Sequence, residues 1–198
     1  MMADSTIPLL LFALAGTCSP GPNNLMLMAS GANYGFRRTL PHMLGVGLGF
    51  SLMIFGVGIG LSLVFERWPW VQTVLTAASL CYLLWLAWKI ASAVPPADGP
   101  RAEGRPLTFL QAAGFQWVNP KAWAMATTAT TVFAAGHGLR DVLVVSGAFL
   151  LVSIVSTTSW SALGVGAAQV LTDRRRLRAF NIAMAVLLLA TLVPLIWP

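Results

Sequence analysis

The sequence predicts an all-α membrane protein: six transmembrane helices as two inverted three-helix repeats, with the first and fourth helices broken. Three observations lead there. Of 198 residues, 57% are hydrophobic and 9% charged, against about 25% charged in an average soluble domain, so a water-soluble globule would lack polar surface. Apolar stretches set apart by charged or Pro/Gly-rich breaks mark six spans, and at about 20 residues per span these fill the chain as one membrane domain. Proline falls near the middle of the first and fourth spans, and three spans per half force the halves into opposite orientations.

The spans run roughly 6–31, 40–65, 69–92, 107–134, 141–171 and 178–197. Met1 to Thr6 carries Asp4 and no Lys or Arg, so the start reads as a retained first span; a cleaved signal peptide begins basic. Nine of the twelve Lys and Arg fall in odd loops: Arg37 and Arg38, then Lys89, Arg101 and Arg105, then Arg174, Arg175, Arg176 and Arg178. Only Arg67 and Arg140 mark the even loops, which places the odd loops in the cytoplasm and both termini on the periplasmic or outer side. The net charge of +6 is therefore topological, and its scatter between apolar runs excludes a nucleic-acid partner. Repeat one covers about 1–94 and repeat two about 107–198, joined by a Pro-, Gly- and charge-rich linker at 95–106.

In the first span, Ser19-Pro20-Gly21-Pro22-Asn23-Asn24 cannot sit in an undistorted helix. Pro20 and Pro22 remove the amide donors that would serve the carbonyls of Gly16 and Cys18, and in lipid those carbonyls need other partners. Pro22 suits the first position of a new half-helix, with Gly21 or Ser19 near its cap. The second span places Gly45, Gly49, Gly56 and Gly60 on one helix face, where backbones can approach closely; substrate contact and sliding between states are the other readings. His42, at the start of that span, reads as a solvated interfacial histidine. Trp68, Trp70, Trp85, Trp88 and Trp197 lie near span ends, as an aromatic belt requires.

The fourth span repeats the grammar of the first. The residue before proline is pushed out of helical geometry, so Asn119 can cap a half-helix beginning at Pro120. Lys121 is near mid-span, where it faces either the interior or, by snorkelling, the interface. Thr127, Thr128, Thr130 and Thr131 in this span, and Ser156, Thr157, Thr158, Ser159 and Ser161 in the fifth, serve interhelical hydrogen bonding or cavity lining. Two half-helix starts facing each other near the midplane each carry roughly half a positive charge. Lys121 adds a full one, so the centre should attract a carboxylate, while carbonyls freed at the breaks can receive an ammonium group.

A zwitterion fits that description. The candidate substrate-binding residues are Gly21, Asn23, Asn24, Asn119 and Lys121, with Pro20, Pro22 and Pro120 shaping the breaks. Two ordinary kinked spans are the alternative, against which the clustering of three asparagines weighs. No metal-ligand spacing and no cofactor motif is present, and His137 falls in a loop. Cys18 and Cys81 form neither a disulfide framework nor a zinc pattern. Because Cys18 adjoins a break, a membrane thiol-disulfide electron carrier is the second reading, though no cysteine stands at the other break. Asp141 is the carboxylate nearest to a span interior, so proton coupling has no obvious acidic carrier and Lys121 is the candidate.

The combination of Ser19-Pro20-Gly21-Pro22-Asn23-Asn24, Gly35-Phe36-Arg37-Arg38, Trp85-Leu86-Ala87-Trp88-Lys89 and Asn119-Pro120-Lys121-Ala122 resembles the LysE/RhtB family of bacterial amino-acid exporters over essentially the whole length. The first and third of these look most like the branch that exports cysteine and O-acetylserine. The resemblance implies a secondary transporter of the bacterial inner (cytoplasmic) membrane, not an enzyme. It would expel small amino acids or related metabolites at the expense of the proton gradient. Homo-oligomerisation is left open.

Overall fold

The computed structural model describes residues 2–93, 104–134, 138–171 and 173–193, with side chains from Thr6 onward. Arg101, His137, Trp197 and most of the 95–106 linker fall outside them. Within the described residues every regular element is helical.

The first span is two arms, α1 (Met2–Cys18) and α2 (Pro22–Tyr34). The break falls where the prolines withdraw their donors, and α2 starts at Pro22 behind an extended Gly21 (φ −179°, ψ 176°). At its far end Gly35 adopts φ 80° and donates its N–H to the Gly31 carbonyl at 2.9 Å. That left-handed residue turns the chain by itself, so α3 (Phe36–Gly56) begins at the next position. The expected first loop is thus one glycine, and Arg37 and Arg38 ride the first turn of α3.

Beyond α3 comes a π-helical turn, Val57–Leu61, with Gly60 at φ 110°, and then α4 (Leu63–Arg67). A π turn takes an extra residue per turn, which rotates the downstream residues off the stripe, and the expected four-glycine face divides accordingly. Gly45 and Gly49 pack on backbone of the helix from Phe109, while Gly56 and Gly60 meet side chains only.

Next, α5 (Trp70–Ala91) is followed by α6 (Phe109–Val118), which opens with a capping box. There the Gln111 amide donates to Thr108 Oγ1 and the Thr108 amide to Gln111 Oε1. Asn119 then separates α6 from α7 (Pro120–Phe133). The 32-residue α8 (Leu139–Val170) is unbroken, and α9 (Arg174–Ala190) starts behind Asp173, whose carboxylate accepts from the Arg175 amide at 2.8 Å. That cap starts the helix before the arginine cluster, so Arg174, Arg175, Arg176 and Arg178 lie on α9 and not in a loop.

Among the described residues, three helices are long and apolar enough to cross a membrane: Phe36–Leu61, Trp70–Ala91 and Leu139–Val170. In the middle stands α8, packed on α1, α2 and α3; α3 also packs on α6, and α5 on α9. Where α2 crosses α8 no side chain intervenes, since a Cβ on Gly31 would strike the Ser161 carbonyl and one on Gly164 the Met28 carbonyl. Leu27, Leu83, Phe115 and Leu188 anchor one apolar cluster and Met53, Ile54, Ala126 and Phe149 the other. Leu11, Leu52, Ile59, Leu151 and Val186 point outward, a surface that suits hydrocarbon. Trp68, Trp70, Trp85 and Trp88 are exposed as well.

Candidate functional site at the two helix breaks

Two prolines in three residues free a run of carbonyls at the end of α1, and each finds a donor. Ser19 Oγ donates to the Gly16 carbonyl at 2.8 Å. The Thr17 carbonyl accepts from Asn24 Nδ2 at 2.6 Å and from Ser156 Oγ of α8 at 2.8 Å. Trp160 of α8 donates its indole N–H to the Cys18 carbonyl at 3.2 Å. The Ser19 carbonyl takes Asn24 Nδ2 at 2.8 Å and Lys121 Nζ at 3.1 Å. Lys121 reaches across from α7, also donating to Ser19 Oγ at 2.8 Å and to the Pro20 carbonyl at 3.4 Å.

The second break is repaired from nearby. Asn119 is extended (φ −90°, ψ 110°), and its Oδ1 accepts from the Lys121 amide at 3.2 Å, capping α7. Its own N–H turns back to the Gln116 carbonyl at 3.3 Å, the acceptor that Pro120 cannot serve. Trp123 Nε1 closes the Trp117 carbonyl at 2.8 Å. One reciprocal amide pair joins the two breaks: Asn23 Nδ2 donates to Gln116 Oε1 at 2.8 Å, and Gln116 Nε2 to Asn23 Oδ1 at 3.1 Å.

Between the breaks lies a cavity of about 40 Å³ with Thr17, Gly21, Asn23, Asn24, Asn119, Lys121, Ser153 and Ser156 on its polar wall and Val46, Phe50 and Met125 on its apolar one. That volume holds a few waters. An amino acid enters only if the wall gives way, and Lys121 and Met125 are its long, flexible members. No side chain caps the first turn of α2, so amide donors remain available at this wall.

All five sequence-derived binding candidates, and Pro22 with them, meet at this one cavity. Their roles differ. Asn24 is buried with its amide nitrogen committed to two backbone carbonyls. Gly21 provides clearance, because a Cβ there would lie 2.9 Å from Lys121 Nζ. Pro20 is exposed and Pro120 half-buried, both off the wall. Gln116, Ser19 and Trp160 were not among the candidates. Gln116 carried the same signal as Asn23, a polar side chain inside an apolar span, and a mid-span tryptophan such as Trp160 is out of place in an interfacial belt.

The two polar stretches differ. Ser156 links helices and Thr157 lines the cavity, whereas the Thr127 and Thr130 hydroxyls donate within α7. The solvated-histidine expectation fails: His42 is 1% exposed, because α3 starts at Phe36 and carries it nearly two turns inward. Cys18 is half-buried and Cys81 exposed, both free thiols. Among the described residues no cluster of His, Cys, Asp or Glu could hold a metal.

A polar, cation-bearing cavity closed by facing helix breaks inside an apolar helical body suits a membrane translocator. The LysE type translocator family matches residues 14–196, and the chain belongs to that family. It is similar to proteins called cysteine/O-acetylserine efflux protein. One from Escherichia coli is 30% identical over 181 residues, covering 90% of each chain. Another from Shigella flexneri is 31% identical over 180 residues, covering 89% of this chain and 90% of the relative. A third, from Salmonella typhimurium, is 31% identical over 156 residues, covering 77% and 78%. No solved structure matches.

Proposed function

We propose that this chain is a proton-coupled secondary transporter that exports small amino acids or related metabolites across the bacterial inner membrane. Cysteine and O-acetylserine, which the relatives' names carry, are the first cargoes to test. One observation carries the reading: the Lys121 ammonium sits inside the cavity with only neutral oxygens, those of Ser19 and Pro20, as partners. Among the described residues no carboxylate pairs with this cation, and a substrate carboxylate supplies the counter-ion.

The chain of events follows from that contact. The carboxylate takes the ammonium of Lys121 and the uncapped amides of α2. The Ser19 and Pro20 carbonyls released by Lys121 accept the substrate ammonium, and the cargo side chain lies toward Val46 and Phe50. Proton loss from Lys121 dissolves the ion pair and frees the cargo. The six-span inverted arrangement with both termini outside draws support from the arginine distribution and from packing. The broken span of each half lies on the second helix of the other, α1 and α2 on α8, and α6 on α3. Movement of one half against the other then opens the cavity to each side in turn.

The test is efflux of labelled amino acids from loaded vesicles, with and without a pH gradient. Wild type exports at least one of the two named cargoes. Lys121→Met lowers the rate at least tenfold at equal protein level, and Lys121→Arg keeps binding while losing dependence on the gradient. Wild-type export by Lys121→Met would overturn the reading.

A further inference from the structure

A second cavity, also about 40 Å³, lies between α2, α3, the end of α5 and the segment from Arg105 to Leu107. It shares α2 and α3 with the first, His42 standing about one helical turn along α3 from Val46. The proposed function does not use it. Three observations bear on its ligand.

The first is His42 itself, which lines this cavity, is 1% exposed, and has no hydrogen-bond partner at either ring nitrogen among the described residues. A neutral imidazole brings one donor and one acceptor, and buried polar groups are ordinarily paired. Its polar neighbours are already engaged with one another: Ser30 with Thr39 at 2.9 Å, and Asn33 with Asn181 at 2.6 and 2.9 Å. The imidazole is the group left over.

The second is charge. Lys89 and Arg105 both line the cavity, and neither has a carboxylate partner among the described residues. Lys89 Nζ rests over the Trp85 ring, 5.2 Å from its centroid, which leaves its N–H donors free. The third is a built mouth. Arg38 stands 5.5 Å over the Tyr34 ring and donates to the Gly104 carbonyl, fixing the segment that carries Arg105 across the opening. Gly104 makes that bend at φ 114°.

We infer that this cavity, as its long Lys89 and Arg105 side chains give way, is a second binding site, for a small carboxylate: His42 donates to the carboxylate and Lys89 and Arg105 balance its charge. The site lies at the end of the molecule that the arginine distribution assigns to the cytoplasm, where cargo bound for the central cavity would load. That assignment as a loading site rests on the export reading; the carboxylate chemistry does not.

With His42 and His137 the only histidines, His137→Gln leaves a single imidazole to observe by ¹⁵N NMR in lipid nanodiscs. At constant ionic strength, acetate and glycine shift the His42 nitrogens in a saturable way, and methylammonium does not. In the same protein with Lys89→Gln and Arg105→Gln, half-saturation rises at least tenfold. Silence toward acetate and glycine, an equal response to methylammonium, or unchanged half-saturation in the double variant would each overturn the inference. A silent His42 in a protein that exports removes this site alone, and a responsive His42 in a protein that exports nothing removes the export reading alone.

Discussion

The break at Ser19–Gly21 passes its freed carbonyls to donors far along the chain, whereas the break at Asn119 is mended by residues within seven positions of one another. Trp160 and Ser156 come from α8 and Lys121 from α7; only Asn24 and Ser19 are local. The difference follows from proline count. One proline removes one donor, and the carbonyls it leaves, those of Gln116 and Trp117, lie within reach of the Asn119 amide and the Trp123 indole. Two prolines two residues apart expose a stretch too long for its own neighbours to cover, so the first break takes its shape from the fold and the second from its own sequence.

Substitutions can break or sharpen this contrast, read as thermal stability in nanodiscs. Asn24→Leu removes one donor from each of two half-buried carbonyls, that of Thr17, which keeps Ser156, and that of Ser19, which keeps Lys121, and has the largest effect, about 2–3 kcal/mol of destabilisation for two hydrogen bonds lost at once. Trp160→Phe keeps an aromatic ring, a smaller one, but strips the Cys18 carbonyl of its donor from α8, for about 1–2 kcal/mol. Asn119→Ala removes an ordinary helix cap, about 1 kcal/mol, and Asn119→Ser restores most of it. A larger loss for Asn119→Ala than for Asn24→Leu would reverse the contrast and show that the second break also relies on the fold.

The positions of both breaks were legible in the sequence because proline acts through its own covalent structure: it has no N–H, whatever surrounds it. Long apolar runs likewise marked the helices to within a few residues. The pairing of each donor with its carbonyl was not legible. Asn24 read as a free ligand because nothing local reveals that its amide folds back on Thr17 and Ser19. His42 read as interfacial because Gly35 compresses an expected loop into one residue and moves the start of α3. The arginines misplaced into the fifth loop reflect the same limit, since a charged first turn and a charged loop have the same composition.

The bare contact of α2 with α8 has a mechanical consequence. Two backbones meet at Gly31 and Gly164 with no side chain between them, so any tilt of one rod against the other would pivot at this crossing. Ser161 lies 22 residues from Leu139 at the far tip of α8, an arm of about 33 Å at 1.5 Å per residue. A tilt of about 10° at the crossing therefore sweeps that tip through about 6 Å, while Ser156, only five residues from Ser161, travels about 1 Å. Such a pivot would convert a small adjustment beside the cavity into a large displacement at the Leu139 end of α8.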